Sequence, residues 1–242
     1  MTGAAAELPA VAPERVFDLA RAPLRQLNGT LHALAGSSET SRWRVLNPRG
    51  AHAVAVGLDA PLTVEIDGPV GYYCAGMNKL ATVIVNGNAG IGVAENMMSG
   101  FVRVTGDASQ NAGATAHGGT LVIEGNASGR CGISMKGADI IVKGSVGHMS
   151  AFMAQAGTLT VFGDAGSNLG DSLYEARLFV RGSVASLGSD CIEKPMHEHH
   201  RRELCARLES AGFARQVDVG NFRRYGSARG LYHFHVDNLG VY

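Results

Sequence analysis

The chain has little of several features that other protein classes need. Aromatic residues make up 6% of its 242 residues, and only one of them is tryptophan. Lys plus Arg and Asp plus Glu both number 21, so the formal net charge is zero and no general basic surface is available for nucleic acid. No apolar run reaches membrane-spanning length, and the N-terminus lacks the basic and apolar regions of a secretory signal. We therefore expect neither a nucleic-acid partner nor a membrane partner.

Cysteine is scarce and scattered. The chain contains four, Cys74, Cys131, Cys191 and Cys205, and no CxxC pair. This spacing is unlike that of zinc or iron–sulfur ligands, which come in closely spaced groups. It is also unlike the dense disulfide framework of small secreted domains. The cysteines therefore predict a reduced, cytoplasmic protein.

Glycine, in contrast, is abundant, with 33 residues, and seven of the glycines recur at a strict interval of 19. The residue two positions before each of them is Ile or Val, and the residue four positions before is Val, Leu or Ile. Alternating apolar residues predict a strand with one buried face, and a fixed period of this size predicts stacked units. The seven glycines are Gly68, Gly87, Gly106, Gly125, Gly144, Gly163 and Gly182.

One strand per repeat, stacked at about 4.8 Å, builds a parallel β-helix in which equivalent residues form columns. Small residues near each glycine and 13 positions after it predict two tight corners per rung, joined by a loose extended segment. The apolar columns do not recur every sixth residue, which excludes a left-handed hexapeptide helix, and no period of three indicates collagen. The sequence therefore predicts an all-β fold, a right-handed parallel β-helix of about seven 19-residue rungs.

The flanking segments lack the period and predict short helical caps at both ends. We expect residues 1–17 to be a tail, 18–57 an N-terminal cap, 58–195 the β-helix, and 196–242 a C-terminal helix and tail. Asp18 is placed to cap a helix over 19–35, and 197–211 predicts a second helix that stops at Gly212. An open stack of strands exposes its ends, so we expect both flanks to cover them.

Several polar residues invite a chemical interpretation that their spacing does not favour. One Asn, Asp or Ser follows most of the repeated glycines, which is a poor calcium cage, so we expect hydrogen bonds within each turn instead. His197 and His200 share a helix face without a further ligand nearby, and His233 and His235 raise the same doubt. His117 is a candidate general base of the acyltransferase type, although a lone histidine in a corner is usually structural. We expect no catalytic, cofactor-binding or metal-binding residue on this chain.

The outer segment of each rung, 8 to 12 residues after the glycine, differs in kind from the rest. It holds five of the chain's eight methionines, and one of its columns forms a continuous stripe along the rod. Two interpretations stay open here: a binding surface, or methionines that fill an irregular second core. The predicted interface consists of Met98, His117, Lys136, Gln155 and Tyr174, extended by Arg223, Arg224 and Tyr225.

The rungs carry segments that resemble a known family. YYCAGMNK, GVAENMMSG, GRCGISMKG and FRRYGSARGLYHFHVDN are similar to the GXGXG domain, the right-handed β-helix at the C-terminus of the glutamate synthase large subunit. A related domain is a subunit of formylmethanofuran dehydrogenase. The resemblance covers about residues 18–242, and the WRVLNPRG segment points to the free-standing type, which is the separate β-helix chain of N-methylglutamate synthase.

This resemblance implies a structural subunit of an enzyme that converts methylamine and glutamate to N-methylglutamate and ammonia. The implied partners are an amidotransferase-like subunit and a flavin-dependent synthase subunit, which is expected to carry FMN and an iron–sulfur cluster. The sequence agrees with a non-catalytic role, because position 2 is Thr2 rather than a cysteine nucleophile and no dinucleotide motif is present.

Two alternatives to this assignment remain. One is a β-helix subunit of another glutamate-synthase-like or formylmethanofuran-dehydrogenase-like complex. The other is a self-contained β-helix enzyme of the acyltransferase type, for which His117 is the candidate base.

Overall fold

The computed structural model describes residues 14–38, 40–213 and 217–228. Within these ranges, eleven strands form a single sheet, and β1 to β9 are parallel and adjacent in chain order. The last two strands lie antiparallel at the far edge, in the order β9, β11, β10. The elements are β1 Glu14–Asp18, α1 Leu24–His32, β2 Ser41–Leu46, β3 Leu62–Asp67, β4 Thr82–Asn86, β5 Phe101–Val104, β6 Thr120–Ile123, β7 Lys136–Val142, β8 Ala156–Val161, β9 Arg177–Val180, β10 Cys191–Lys194, α2 Glu198–Ser210 and β11 Arg223–Ser227.

The period of the glycines sets the register of the sheet. The residues two positions before each glycine pair with one another on consecutive strands, and all seven are completely buried. The predicted parallel β-helix of about seven turns is therefore confirmed, with this β-branched column inside. The column consists of Ile66, Val85, Val104, Ile123, Val142, Val161 and Val180.

Most of the repeated glycines are required because a side chain would not fit there, and not because the backbone has a left-handed φ. A Cβ on Gly125 would lie 2.8 Å from the carbonyl oxygen of Gly106 in the preceding rung, and it would also meet the Asp107 carboxylate. Of the seven repeated glycines, only Gly68 has a left-handed φ. Left-handed glycines occur at the second corner instead, where Gly119 has a φ of 82°.

The polar residue after each glycine joins one rung to the next. Asp107 Oδ1 accepts a hydrogen bond from the backbone N–H of Asn126 at 2.7 Å, and Asn126 Oδ1 accepts one from Ser145 at 2.9 Å. The same bond recurs along the column from Asn88 to Ser183. The prediction of hydrogen bonds within each turn is wrong, because stacking places the N–H of the equivalent residue in the next rung within reach.

The N-terminal elements begin elsewhere than the sequence predicts. Glu14–Asp18 forms a strand that pairs with β2, so the predicted tail ends inside the sheet. Asp18 does not cap a helix at 19, because it accepts hydrogen bonds from the Ala20 N–H and the Asn47 side chain. Helix α1 begins only after Pro23, whose ring disfavours a helical conformation in the preceding residue.

Helix α1 covers the N-terminal end of the β-helix, as expected. Its Leu27 and Leu31 are buried in the same core as the strand residues. Asn28 binds the first rung twice, since its side chain donates to Ala53 O at 2.9 Å and accepts from Ala55 N–H at 3.1 Å. Neither described helix is long and apolar enough to cross a membrane.

Helix α2 has nearly the predicted bounds but a different role. It lies on the outer face of the sheet, where strands β6, β7 and β9 present apolar residues that need cover. The end of the core is closed instead by Tyr225 of β11, which is 2% exposed. The expectation of a C-terminal helix over the end of the stack is thus wrong, since Leu204 and Leu208 pack with Val122, Ile141 and Phe179 on the outer face.

Neighbouring residues of β4 test which face is the core. Val85→Asp places a charge among the buried columns and should lower the free energy of unfolding by more than about 3 kcal/mol. Ile84→Asp is the matched control, because Ile84 lies on the outer face between Glu65 and Arg103 and should cost less than about 1 kcal/mol. Urea denaturation of both variants measures the difference, and equal losses would contradict this assignment of the faces.

A second pair of variants tests the corner. Gly125→Ala forces a Cβ against the Gly106 carbonyl and should cost about 1–3 kcal/mol, which is a drop of several degrees in Tm. Gly29→Ala, on the exposed side of α1 with nothing within 4 Å of the new Cβ, should raise stability by about 0.5–1 kcal/mol. Thermal unfolding measures the Tm of both variants. A Gly125→Ala variant as stable as the parent would refute the steric argument.

Candidate interaction surface

The outer segment of each rung contains left-handed residues at every second position. In one rung these are Asn111, Gly113 and Thr115, with φ of 61°, 65° and 54°. The Thr115 N–H donates to Ile133 O in the following rung, and the Gly113 N–H donates to Val93 O in the preceding rung, both at 2.8 Å. These bonds offset a conformational cost of about 1–2 kcal/mol per non-glycine residue. The segment is therefore a hydrogen-bonded ladder and not the loose extended stretch that the sequence predicts.

The predicted stripe lies on this ladder, one residue per rung. The His117 N–H donates to Met97 O and the Lys136 N–H donates to Ala116 O, each at 2.7 Å. Rungs about 4.8 Å apart place the five side chains in consecutive rows over roughly 19 Å. Equivalent bonds to the preceding rung are made by Met98, Gln155 and Tyr174.

All five stripe side chains are exposed. Met98 and Tyr174 are 46% and 45% exposed, which is high for large side chains that are mostly apolar. Leu80, next to the stripe column, is 54% exposed, and sequence reasoning missed it. Its signal is an aliphatic residue in a column whose other members are small or charged, namely Ser99, Gly118, Gly137, Ala156, Glu175 and Lys194. We call Leu80 and the five stripe residues together the side face.

The methionines divide between the two interpretations that the sequence leaves open. Met97 and Met135 are completely buried and belong to the core. Met77 and Met153 are 48% and 42% exposed, two positions before the stripe column. The outer segment is thus core and surface at once, because successive side chains alternate in direction.

The two lysines of the stripe column differ in whether a described carboxylate pairs with them. Lys79, at the N-terminal end of the stripe column, forms an ion pair with Asp59, with 3.0 Å between Nζ and Oδ2. Lys136 has no carboxylate within ion-pair distance in the described part of the chain, and neither hydrogen bond nor ion pair joins the His117 ring to a described side chain. A general base needs an orienting partner, and the described residues place none beside His117.

The predicted extension of this surface toward the C-terminus is wrong for two residues. Arg224 and Tyr225 are only 6% and 2% exposed, because one faces α2 and the other closes the core. Arg223 is exposed but lies at the glycine corner, where its guanidinium donates to Gly182 O at 2.7 Å. That corner and the stripe lie at opposite ends of the strands, so the side face ends near Tyr174.

The rings of the three histidines that open α2 lie against one another. The ring centroids of His199 and His200 are 3.8 Å apart, and those of His197 and His200 are 5.6 Å apart. His200 is 2% exposed, and burial, followed by the charge of Arg224, lowers its pKa to about 4. Among the residues that the structure describes, no three His, Cys, Asp or Glu side chains are arranged to hold a metal ion. His233 and His235 lie outside the described residues.

Three of the four thiols are buried within the fold. Burial raises the pKa of Cys74 and Cys131 to about 12 and that of Cys191 to about 11. A thiol acts as nucleophile only as the thiolate, so these three groups are unreactive at neutral pH.

The fold and the side face define the class: a parallel β-helix protein with a continuous exposed stripe along the rod. No model of a known protein family matches the chain. It is 60% identical over 227 residues to Protein GlxC of Rhizobium meliloti (strain 1021), a match that covers 94% of this chain and 99% of that protein. The chain therefore belongs to the GlxC family.

The buried imidazole predicts a loss of stability in acid. An unfolded histidine binds its proton near pH 6.5, whereas folded His200 does so only near pH 4, so stability falls as the pH drops through this window. The free energy of unfolding should fall by about 1–3 kcal/mol more than that of His200→Leu, which fills the same site with a side chain that cannot bind a proton. Urea denaturation at pH 7 and pH 5 of both proteins, in buffers without phosphate or carboxylate, measures it. Parallel pH profiles would show that His200 protonates freely.

Proposed function

We propose that this chain is a non-catalytic structural subunit of a glutamate-synthase-like complex, specifically N-methylglutamate synthase. In this role it braces the subunits that convert methylamine and glutamate to N-methylglutamate and ammonia. The resemblance of its rung segments to the GXGXG domain supports the choice of complex. The exposed stripe on a regular scaffold supports the structural role.

The single observation that carries the proposal is the side face. Five exposed side chains occupy consecutive rows of one hydrogen-bonded ladder, and two of them are Met98 and Tyr174. Met and aromatic residues are enriched at the centre of protein interfaces. A row of roughly 19 Å is shorter than a whole interface, so it is the centre of a larger contact.

The partner is the flavin-dependent synthase subunit, with its FMN and iron–sulfur cluster, and the amidotransferase-like subunit completes the complex. Lys136 adds a charge requirement, since it is exposed and has no carboxylate partner within the described chain. We expect an acidic residue of the partner opposite Lys136, where pairing contributes more to specificity and association rate than to affinity.

Co-purification tests the docking face. The double variant Met98→Asp, Lys136→Glu introduces a charge at the apolar centre and reverses the free cation. It should lower recovery of the two partner subunits by roughly tenfold or more, because the few residues that contribute over about 1 kcal/mol each cluster near the centre of an interface. Methylamine–glutamate N-methyltransferase activity of the purified complex should fall in parallel, while the Tm of the isolated chain stays unchanged.

The matched control is Val16→Asp, Arg25→Glu, which likewise replaces an exposed apolar residue by aspartate and reverses an exposed cation, here on β1 and α1. It should leave assembly and activity intact. If the stripe variant also assembles and works normally, the docking face lies elsewhere on the rod. If the parent chain itself fails to recruit the two partners, the choice of complex is wrong, and another glutamate-synthase-like or formylmethanofuran-dehydrogenase-like assembly replaces it.

A further inference from the structure

Two cationic side chains meet beneath the start of α2, away from the side face. Lys194 of β10 and Arg224 of β11 are direct partners across the antiparallel ladder, so their side chains share one face of the sheet. Like charges in that position destabilise a strand pair. Arg224 is 6% exposed, and the hydrogen bond of its guanidinium within the described chain runs from Nε to Pro195 O at 3.1 Å.

The face in question is the outer one, under α2. Arg224 is also the ladder partner of Phe179, which packs with Leu204 and Leu208 of the helix. His200 precedes these leucines by four and eight residues, so it points from the same side of the helix toward the sheet. The imidazole and the guanidinium therefore converge at the N-terminal end of the interface.

His200 brings a hydrogen-bond donor without an acceptor. Its Nδ1 accepts from the His197 N–H at 3.2 Å, so the proton of the neutral ring lies on Nε2. Nε2 is buried and has no hydrogen-bond partner among the described residues. A buried donor left unpaired destabilises the folded state, and an acceptor at this point would remove that penalty.

The local carboxylates are already engaged elsewhere. Glu203 binds Arg177 at 2.8 Å and Arg207 at 2.7 Å, and Arg207 also pairs with Asp139. Within the described ranges, no Asp or Glu lies at ion-pair distance from Lys194 or Arg224. Burial and the charge of Arg224 lower the pKa of Lys194, and burial lowers the pKa of Arg224. The cluster thus holds more positive charge than its own residues neutralise.

We propose that Lys194, Arg224 and His200 bind a small oxyanion of the phosphate class at the N-terminus of α2. Phosphate oxygens accept from a guanidinium, an ammonium and an imidazole N–H together, and a helix N-terminus favours negative charge. Arg224 and His200 are 6% and 2% exposed, which favours a small ion over a side chain of a partner protein. The oxyanion is either inorganic phosphate or the phosphate group of a small phosphomonoester. The site is independent of the proposed complex.

Thermal unfolding of the full chain tests the site. The Tm is measured at pH 7 in increasing sodium phosphate against sodium chloride of equal ionic strength, with glycerol 3-phosphate as a third arm. Phosphate at a hundredfold excess over its Kd should raise the Tm by roughly 5–10 °C above the chloride value. A larger rise with glycerol 3-phosphate identifies the phosphomonoester, and an equal or smaller one identifies the free ion. No specific rise with either ligand overturns the proposal.

Variants at the cluster separate this site from general salt effects. Arg224→Met and Lys194→Met should each abolish the phosphate-dependent rise, and in chloride neither should lower the Tm, because a like charge has been removed. Arg223→Met is the matched control on the opposite face of the same strand, and it should keep the full response. If Arg224→Met does not fold, the half-buried Lys194 decides the question. A rise in Lys194→Met equal to that of the parent and of Arg223→Met would refute the site.

Discussion

The close stacking of rungs is the constraint on which the rest of the structure depends. Parallel strands about 4.8 Å apart leave no room for a side chain where Gly125 lies against the Gly106 carbonyl. A glycine at that corner in every repeat lets the rungs close up, and the closed stack then pairs each strand in register. The ladder through Asp107 and Asn126 ties the same corner with side-chain hydrogen bonds, so the tightest point of the coil is also cross-linked.

Stacking also divides the roles of neighbouring residues. Met97 is completely buried and Met98 is 46% exposed, although the two are adjacent in the chain. Because every rung repeats nearly the same backbone, a side chain at one position becomes a row of side chains along the rod. The left-handed residues of the outer segment hold this geometry through bonds to the rungs on both sides. In this way a chain with few charged residues presents an extended, ordered face to solvent.

The non-repeating parts carry the features that a repeat does not build. Helix α1 closes one end of the core with Leu27 and Leu31, and Tyr225 closes the other. Helix α2 covers apolar residues on the outside of the sheet and brings His200 close to Arg224. Within the described residues each of these arrangements occurs once, so its chemistry is concentrated at a point, whereas that of the side face is spread along a line.

The sequence by itself determined the repeat and the identity of the buried columns. These follow from local spacing, since a residue's place in its rung decides whether it faces the core. Only the tertiary structure decided that β1 joins the sheet, that α2 lies on its outer face, and that Arg224 and Tyr225 are buried. It alone also paired Asp107 with the next rung. The physical reason is that these outcomes depend on contacts between residues far apart in sequence, such as Leu204 with Phe179, which no period relates.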